Sequence, residues 1–129
     1  MKKIILMVIF ITHTLLSNEL DIKFDSNSYQ VDEINKIKLD NYTDFLFTNP
    51  QLSVIVQGHT DAIGTKKDNL ILSKHRAQAV KKYFVSEGIL ESRVKIKAYG
   101  ELKPLTPNDI EAHRKFNRRV DFKTFLTFE

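Results

Sequence analysis

The stretch GHTDAIGTKKDNLILSKHRAQAV, residues 58–80, begins as a polar loop and ends as a helix that carries an arginine among apolar side chains. At about 100° per residue, Arg76 lies about 40° from Leu72, between Ala79 and Val80, and therefore in the middle of the apolar stripe. A guanidinium in such a position needs hydrogen-bond acceptors. Two interpretations stay open. Either the stem of Arg76 packs on the stripe while its head reaches water, or the head meets a partner or a ligand.

A second arginine occupies a core-directed position near the C-terminus. Side chains alternate along a strand, so Arg118 shares a face with Val120 and Phe122, whereas Arg119 belongs to the other face and is expected to point outward. Two arginines directed at the core of a small domain are unusual. They indicate internal salt bridges or an anionic ligand gripped at the edge of the core.

The hydrophobic pattern predicts an alternation of strands and helices. In the first helix, Ile34, Ile37 and Leu46 recur at helical spacing and are expected to face the core. Gly88 is expected to follow the end of the second helix. The order βαβαβ(α)β predicts a two-layer α+β or α/β sandwich. The predicted elements are a strand at 20–24, a helix capped by Asp32 and ending at Thr48, a strand at 52–57, a helix at 69–87, a strand at 94–99, a short helix at 109–115 capped by Asn108, and a strand beginning at Val120.

The N-terminus has the pattern of a secretory signal. Two lysines precede the apolar run 4–16, and Ser17 is a small residue at a suitable cleavage point. The run is shorter than the roughly 20 apolar residues of a spanning helix. Residues 1–17 are therefore expected to be a secretory signal peptide, and residues 18–129 a single domain. An uncleaved membrane anchor or a buried helix is the alternative.

Composition excludes several classes of protein. The chain has 129 residues, 42% of them hydrophobic and 28% charged, as in an ordinary single globular domain. Removal of the signal would leave 18 basic and 16 acidic residues, a balance too even to indicate a nucleic-acid partner. The sequence contains no cysteine, so it predicts neither disulfides nor a lipid-modified N-terminal cysteine.

Metal-binding and catalytic patterns are incomplete. His59, Asp61 and His75 are residue types that bind zinc, but no clear fourth ligand accompanies them. Asp61, His59 and Ser73 contain the residue types of a hydrolase triad, but no GxSxG or comparable nucleophile motif is present. We therefore expect no metal, no cofactor and no enzymatic activity.

Four stretches, taken together, resemble one known family. They are VIVQGHTDAIG (54–64), NLILSKHRAQAV (69–80), YGELKP (99–104) and NRRVDF (117–122), in the order and at the spacing of the OmpA-like peptidoglycan-binding domain. That domain also occurs in peptidoglycan-associated lipoproteins and flagellar stator proteins. The resemblance covers about residues 20–122. It implies an α+β two-layer sandwich in which helices pack on a mixed four-stranded sheet.

The resemblance also implies a function and a site. OmpA-like domains bind peptidoglycan non-covalently through the diaminopimelate residue of the stem peptide. The residues that grip diaminopimelate correspond here to Asp61 and Arg76. Two further site residues correspond to Asn69, which opens the predicted helix and is also expected to cap it, and to Arg118.

The chemistry of the ligand explains these residue types. The free end of diaminopimelate carries an ammonium and a carboxylate on one carbon, so Asp61 can accept from the first and Arg76 can donate two parallel bonds to the second. A stem that ends in lysine lacks the carboxylate, which predicts discrimination. Thr60 is expected to hydrogen-bond either the loop or the ligand. Gly58 and Gly64 are expected to let the loop turn tightly.

These expectations place the protein in the periplasm, associated with the wall. The family's usual second anchor in a membrane is not recognisable in the sequence. We therefore expect either an unanchored wall binder or a bridge to a separate membrane protein partner, with the oligomeric state open. The alternative function is a periplasmic protein-interaction or assembly module whose wall site is degenerate.

Overall fold

Strands and helices alternate over residues 20–127, the part of the chain that this computed structural model describes. The elements are β1 (Ile22–Lys23), α1 (Glu33–Thr48), β2 (Leu52–Gly58), α2 (Lys66–Ser86), a 3₁₀ turn (Glu91–Arg93), β3 (Val94–Ala98), α3 (Glu111–Asn117) and β4 (Arg119–Leu126). This order confirms the predicted βαβαβ(α)β. The expected signal peptide, residues 1–17, lies outside the described residues. None of the helices between residues 20 and 127 is both long and apolar enough to cross a membrane.

The strands of this region form one mixed sheet in the order β1-β4-β2-β3. β2 and β3 are parallel, and β4 runs antiparallel to both β1 and β2. β2 is therefore central, as its continuous apolar run predicts. Helices α1 and α2 pack on one face of the sheet, which gives the expected α+β two-layer sandwich.

The hydrophobic core fills the space between the sheet and these two helices. The sheet contributes Val54, Val56, Val94 and Val120, and each is at most 1% exposed. Residues between these positions along the strands point to the opposite face. The helices contribute Leu39, Tyr42, Leu46, Ala77, Val80 and Phe84.

Helix α1 begins as predicted but turns a different side to the core. Asp32 caps it, because Asp32 Oδ1 accepts a hydrogen bond of 2.9 Å from Asn35 N. Ile34 and Ile37 are 70% and 64% exposed, so their predicted place in the core is wrong. Asn35 points inward instead, because its side-chain nitrogen donates to Lys23 O over 2.9 Å and thereby pairs with the edge strand β1.

Helix α2 begins three residues earlier than predicted. Its cap is Thr65, whose Oγ1 accepts from Asp68 N at 3.0 Å, so the capping role expected of Asn69 is wrong. Asn69 lies inside the first turn, which frees its side chain for other bonds. The helix ends before Gly88, which has the positive φ of 105° that suits glycine at this position and confirms the prediction.

The buried side of α2 is rotated from the predicted stripe. Leu72, Ala79 and Tyr83 are only half-buried, whereas Ser73 and Phe84 are fully buried. The reason is that Gly58 of β2 approaches the backbone of α2 closely at Ser73. Arg76 stays on the buried side in either orientation.

Helix α3 is displaced by two residues from its predicted position, and Asn108 does not cap it. Asn108 Oδ1 accepts from Ala62 N at 3.2 Å and from Asn117 Nδ2 at 2.9 Å. This side chain therefore connects the loop after β2 to the end of α3. A local capping rule does not predict such a contact between distant segments.

The face of the sheet away from the helices contains an ionic network. Arg119 belongs to this face, as predicted, but it is only 3% exposed. Arg119 Nη2 lies 3.2 Å from Asp121 Oδ2, and Arg119 Nε lies 4.0 Å from Asp21 Oδ2. His59 Nε2 lies 3.0 Å from the same Asp121 oxygen. The buried Asp21 and the half-buried Asp121 therefore offset the charge of Arg119.

Arg93 joins the end of α1 to the start of β2, a role for which the sequence carried no signal. The side chain is 8% exposed. Its Nη2 donates to Leu46 O, Asn49 O and Leu52 O at 2.8, 3.0 and 2.7 Å, and its Nε donates to Leu52 O at 2.9 Å. The bond to Leu46 O satisfies a carbonyl that the helix end leaves without an intrahelical partner, and the others tie that end to β2.

Replacing this side chain tests its contribution to stability. We expect Arg93→Leu to lower the free energy of unfolding by about 2–4 kcal/mol, because buried carbonyls lose charge-assisted partners. Urea denaturation measures the loss. Lys74→Leu, at an exposed position of α2, is the matched control and should change stability by no more than about 0.5 kcal/mol. Equal stabilities of the two variants would show that Arg93 is dispensable.

The ionic network predicts a pH dependence. Burial raises the pKa of Asp21 to about 6 from its usual 3.8, against the opposing charge of Lys23. The folded protein then binds this proton more tightly than the unfolded chain, so ionisation of Asp21 lowers stability as the pH rises from about 4 to about 6. Asp21→Asn lacks this loss. Its stability relative to wild type should increase by about 1–3 kcal/mol between pH 4 and pH 7 in urea denaturation. The exposed substitution Asp44→Asn should show no such trend.

Candidate functional site

The candidate site lies where β2 ends and its chain continues toward α2. His59, Thr60 and Asp61 follow the strand, and they are only 2%, 2% and 6% exposed. The backbone fixes this segment, because His59 N donates to Arg119 O at 2.9 Å and Thr60 N donates to Gly100 O at 2.8 Å. The polar side chains of a predicted loop are therefore held at the edge of the core.

Asp61 is paired with Arg118. Asp61 Oδ2 accepts from Arg118 Nη1 at 3.2 Å, and Asp61 Oδ1 accepts from Ile63 N at 3.1 Å. Arg118 also donates from Nη2 to Glu111 Oε1 at 2.7 Å and from Nε to Phe24 O at 3.0 Å. The core-directed Arg118 thus takes the internal salt bridge, one of the two interpretations of its position.

Arg76 is fully buried and bonds only to backbone oxygens. It donates from Nε to Ser28 O at 2.8 Å, from Nη1 to His59 O at 2.9 Å and from Nη2 to Asp25 O at 3.0 Å. In residues 20–127 no carboxylate oxygen lies within 4.0 Å of it. A guanidinium has five N–H donors, so one N–H on each terminal nitrogen is still available.

The environment keeps this group charged at neutral pH. Burial lowers the pKa of the Arg76 guanidinium to about 10, and the charge of Asp61 opposes that shift. The guanidinium carbon also lies 5.2 Å from the centre of the Phe24 ring, a distance suited to a cation–π contact. Arg76 is therefore a buried cation whose hydrogen bonds do not neutralise its charge.

A cavity of about 210 Å³ brings most of the predicted site residues together. Asp61 and Arg76 both line it, so the two side chains face a common hollow and are not paired with each other. Gly58 does not line it. The other predicted residues on its wall are Thr60, Gly64, Asn69 and Arg118.

Two of these residues organise the loop. Asn69 Nδ2 donates to Asp61 O at 3.2 Å and to Glu101 Oε1 at 3.1 Å. Thr60 Oγ1 donates to Asp61 O at 2.8 Å. Both side chains therefore bind the main-chain oxygen of Asp61 and hold the backbone of the loop in place.

Sequence reasoning missed the segment that forms the opposite wall. The SNS stretch at 26–28 was expected only as a turn, but Ser26 and Asn27 line the cavity, and the carbonyls of Asp25 and Ser28 bind Arg76. Asn27 has a positive φ of 57°, which asparagine tolerates better than most residues. The asparagine signals a tight turn. Nothing in the local sequence shows that the turn meets a helix about 50 positions later.

The two glycines have different functions in the structure. Gly58 is the last residue of β2, and a Cβ there would lie 1.9 Å from Ser73 O of α2. Its small size therefore allows strand and helix to approach closely, rather than allowing a turn. Gly64 has a positive φ of 95° within the loop, as expected of a loop-shaping glycine.

The sequence profile described as the OmpA family matches residues 23–118. The chain belongs to the OmpA family. It is 41% identical over 103 residues to outer membrane porin F of Pseudomonas fluorescens, which covers 80% of this chain and 32% of the relative. It is 33% identical over 98 residues to the peptidoglycan-associated lipoprotein of Buchnera aphidicola, covering 76% and 57%. This OmpA-family chain thus spans about one third of the porin and somewhat more than half of the lipoprotein.

Solved structures agree with this assignment. The peptidoglycan-associated lipoprotein of Burkholderia pseudomallei superposes with a TM-score of 0.79 at 30% identity, covering 81% of this chain and 89% of that one. The C-terminal domain of Helicobacter pylori MotB has a TM-score of 0.76 over 81% and 83% of the two chains, and at 21% identity it shows the fold alone. OmpA-family domains bind peptidoglycan and are not enzymes, and the relatives are proteins of the cell envelope.

The contact between Gly58 and α2 can be tested by adding one methyl group. We expect Gly58→Ala to lower the free energy of unfolding by about 3 kcal/mol, because the methyl would force strand and helix apart. Gly64→Ala, in the loop that follows β2, is the matched control. The nearest atom to its Cβ would be 3.6 Å away, so only backbone strain of about 1–2 kcal/mol is expected. Thermal unfolding ranks the two, and a larger loss in Gly64→Ala would contradict the packing argument.

Proposed function

We propose that this OmpA-family chain binds peptidoglycan non-covalently through the diaminopimelate residue of the stem peptide. The observation that carries the proposal is the cavity that Asp61 and Arg76 both line without pairing with each other. A ligand with an ammonium and a carboxylate on one carbon offers a donor to Asp61 and an acceptor to Arg76. The same attachment would hold the protein to the wall of the cell envelope.

The hydrogen-bond inventory supports a cation site at Asp61. A carboxylate offers about four acceptor positions. Asp61 uses one oxygen for Arg118 and the other for the backbone of Ile63, so acceptor positions remain for an ammonium. Glu111 shares the charge of Arg118 and leaves Asp61 only partly neutralised.

The same inventory supports an anion site at Arg76. One N–H on each terminal nitrogen remains, and a carboxylate can accept hydrogen bonds from both terminal nitrogens of a guanidinium. The three backbone carbonyls hold the guanidinium rigidly, so little conformational entropy is lost when a ligand binds. A lysine-type stem has no carboxylate at this position and would leave the buried charge without an anion.

Titration with two muropeptides tests this specificity. We expect the protein to bind a diaminopimelate-containing muropeptide at least about tenfold more tightly than its lysine counterpart, because one charge-assisted bond contributes about 1.5–3 kcal/mol. Asp61→Asn should remove most of the affinity for the first peptide and for purified sacculi. The control is Asp44→Asn, which changes the net charge equally at an exposed position of α1 and should bind as wild type does.

Arg76 needs a different design, because it also fixes the turn at residues 25–28. Arg76→Lys keeps the charge, but its three N–H groups lie on one nitrogen and cannot reproduce bonds that start from three nitrogens. Thermal unfolding must therefore accompany its binding measurement. Equal affinity for the two muropeptides, or undiminished sacculus binding by Asp61→Asn, would contradict the proposal. The second result would favour a protein-interaction module with a degenerate wall site.

A further inference from the structure

The face of the sheet away from α1 and α2 carries a group of lysines from different strands. Strand register places Ile55 of β2 between Lys95 of β3 and Lys123 of β4. Lys97 follows two residues after Lys95 and so shares the same face. Neighbouring strands lie about 4.8 Å apart, which puts the strands of Lys95 and Lys123 about 10 Å from each other. All three lysines are exposed.

These lysines have no acidic partner among residues 20–127. No carboxylate oxygen lies within 4.0 Å of the ammonium of Lys95, Lys97, Lys103 or Lys123 in this region. Lys97 and Lys103 lie instead over the ring of Tyr99, at 5.2 and 4.3 Å from its centre. Their like charges are therefore close together and only partly screened at physiological salt, where the Debye length is about 8 Å.

The two carboxylates of this face do not offset them. Asp21 is only 3% exposed, and it lies against Arg119. Asp121 accepts from Gln57 Nε2 at 2.7 Å and is in contact with Arg119 and His59. Asp21 is thus buried and the half-buried Asp121 is engaged by Arg119, whereas the three lysines are exposed.

Apolar and aromatic groups lie between the lysines. Ile55, Tyr99 and Phe125 belong to the same face and are half-buried, so part of each side chain reaches solvent. Ammonium groups around a half-exposed aromatic and aliphatic surface suit a lipid headgroup region, where phosphates meet lysines and tyrosine lies at the interface. The core helices pack on the other side of the sheet, and the part of this face around Lys95, Lys97 and Lys123 is exposed.

We propose that this face, defined by Ile55, Lys95, Lys97, Tyr99 and Lys123, docks onto an anionic phospholipid surface. Charge complementarity decides the occupant, because lipid phosphates supply the negative charge that these exposed lysines lack as partners. The diaminopimelate cavity lies beyond the end of β2, not on this face. The protein can therefore contact a lipid surface and the wall at the same time.

Co-sedimentation of the full-length protein with lipid vesicles tests the proposal. One set of vesicles contains phosphatidylcholine and phosphatidylglycerol at roughly 3:1, the other phosphatidylcholine alone, so that any uncharged contribution from residues 1–17 appears in both. The test variant is Lys95→Glu combined with Lys123→Glu. The matched control is Lys74→Glu combined with Lys82→Glu, which changes the net charge equally on α2.

We expect the wild-type protein to bind anionic vesicles more tightly than neutral vesicles, and we expect high salt to weaken this preference. In the Lys95/Lys123 variant, the ratio of affinity for anionic over neutral vesicles should fall at least about tenfold. In the Lys74/Lys82 variant it should fall less than about threefold. β3 is an edge strand, and a charged side chain at position 95 discourages it from pairing with a second copy of the chain. Glutamate keeps a charge there. Thermal unfolding confirms that both variants fold.

Three results would overturn the proposal. The first is that wild type shows no preference for anionic vesicles. The second is that both double variants lose the preference equally, which would show that binding depends on net charge alone. The third is that poly(glutamate) at the same charge concentration binds as tightly as the vesicles, which would assign the face to acidic polymers. Asp61→Asn should keep vesicle binding while losing wall binding, so this test and the wall proposal can fail separately.

Discussion

The buried guanidinium of Arg76 is the constraint on which the arrangement of the site depends. Its three hydrogen bonds reach the turn after β1 and the segment after β2, so one side chain of α2 sets the distance between the two walls of the cavity. Backbone carbonyls hold the group in place without cancelling its charge. A carboxylate in place of these carbonyls would also hold the guanidinium, but it would neutralise its charge and leave no reason for an anion to bind.

Much of this arrangement could be predicted from the sequence. The apolar run of β2, the helix after it and the alternation in β4 fixed the order of elements and placed both Arg76 and Arg118 toward the interior. The position of Arg76 was predicted because helical periodicity is a local property. Its acceptors were not, because they are carbonyls about 50 residues away, and every residue type has a carbonyl.

Errors of prediction occurred where tertiary contacts override local rules. Asn69 looks like a helix cap, but Thr65 takes that role and leaves Asn69 to bind the loop. Ile34 and Ile37 fit a helical stripe, yet Asn35 faces inward because it completes the hydrogen bonds of β1. Arg119 lies on the predicted face, but it is buried there in contact with Asp21 and Asp121.

The shortness of β1 has a mechanical consequence. β1 pairs with β4 through Ile22 and Lys23 alone, at the edge of the sheet, and the turn at residues 25–28 follows closely after them. Tension applied at residue 20 would load these few bonds one after another, while the central strands stay in register. Peeling of β1 would pull the turn from Arg76 and open one wall of the cavity, and it would also withdraw Ile22 and Phe24 from the core. Load at this end would therefore loosen the ligand site and one corner of the core together.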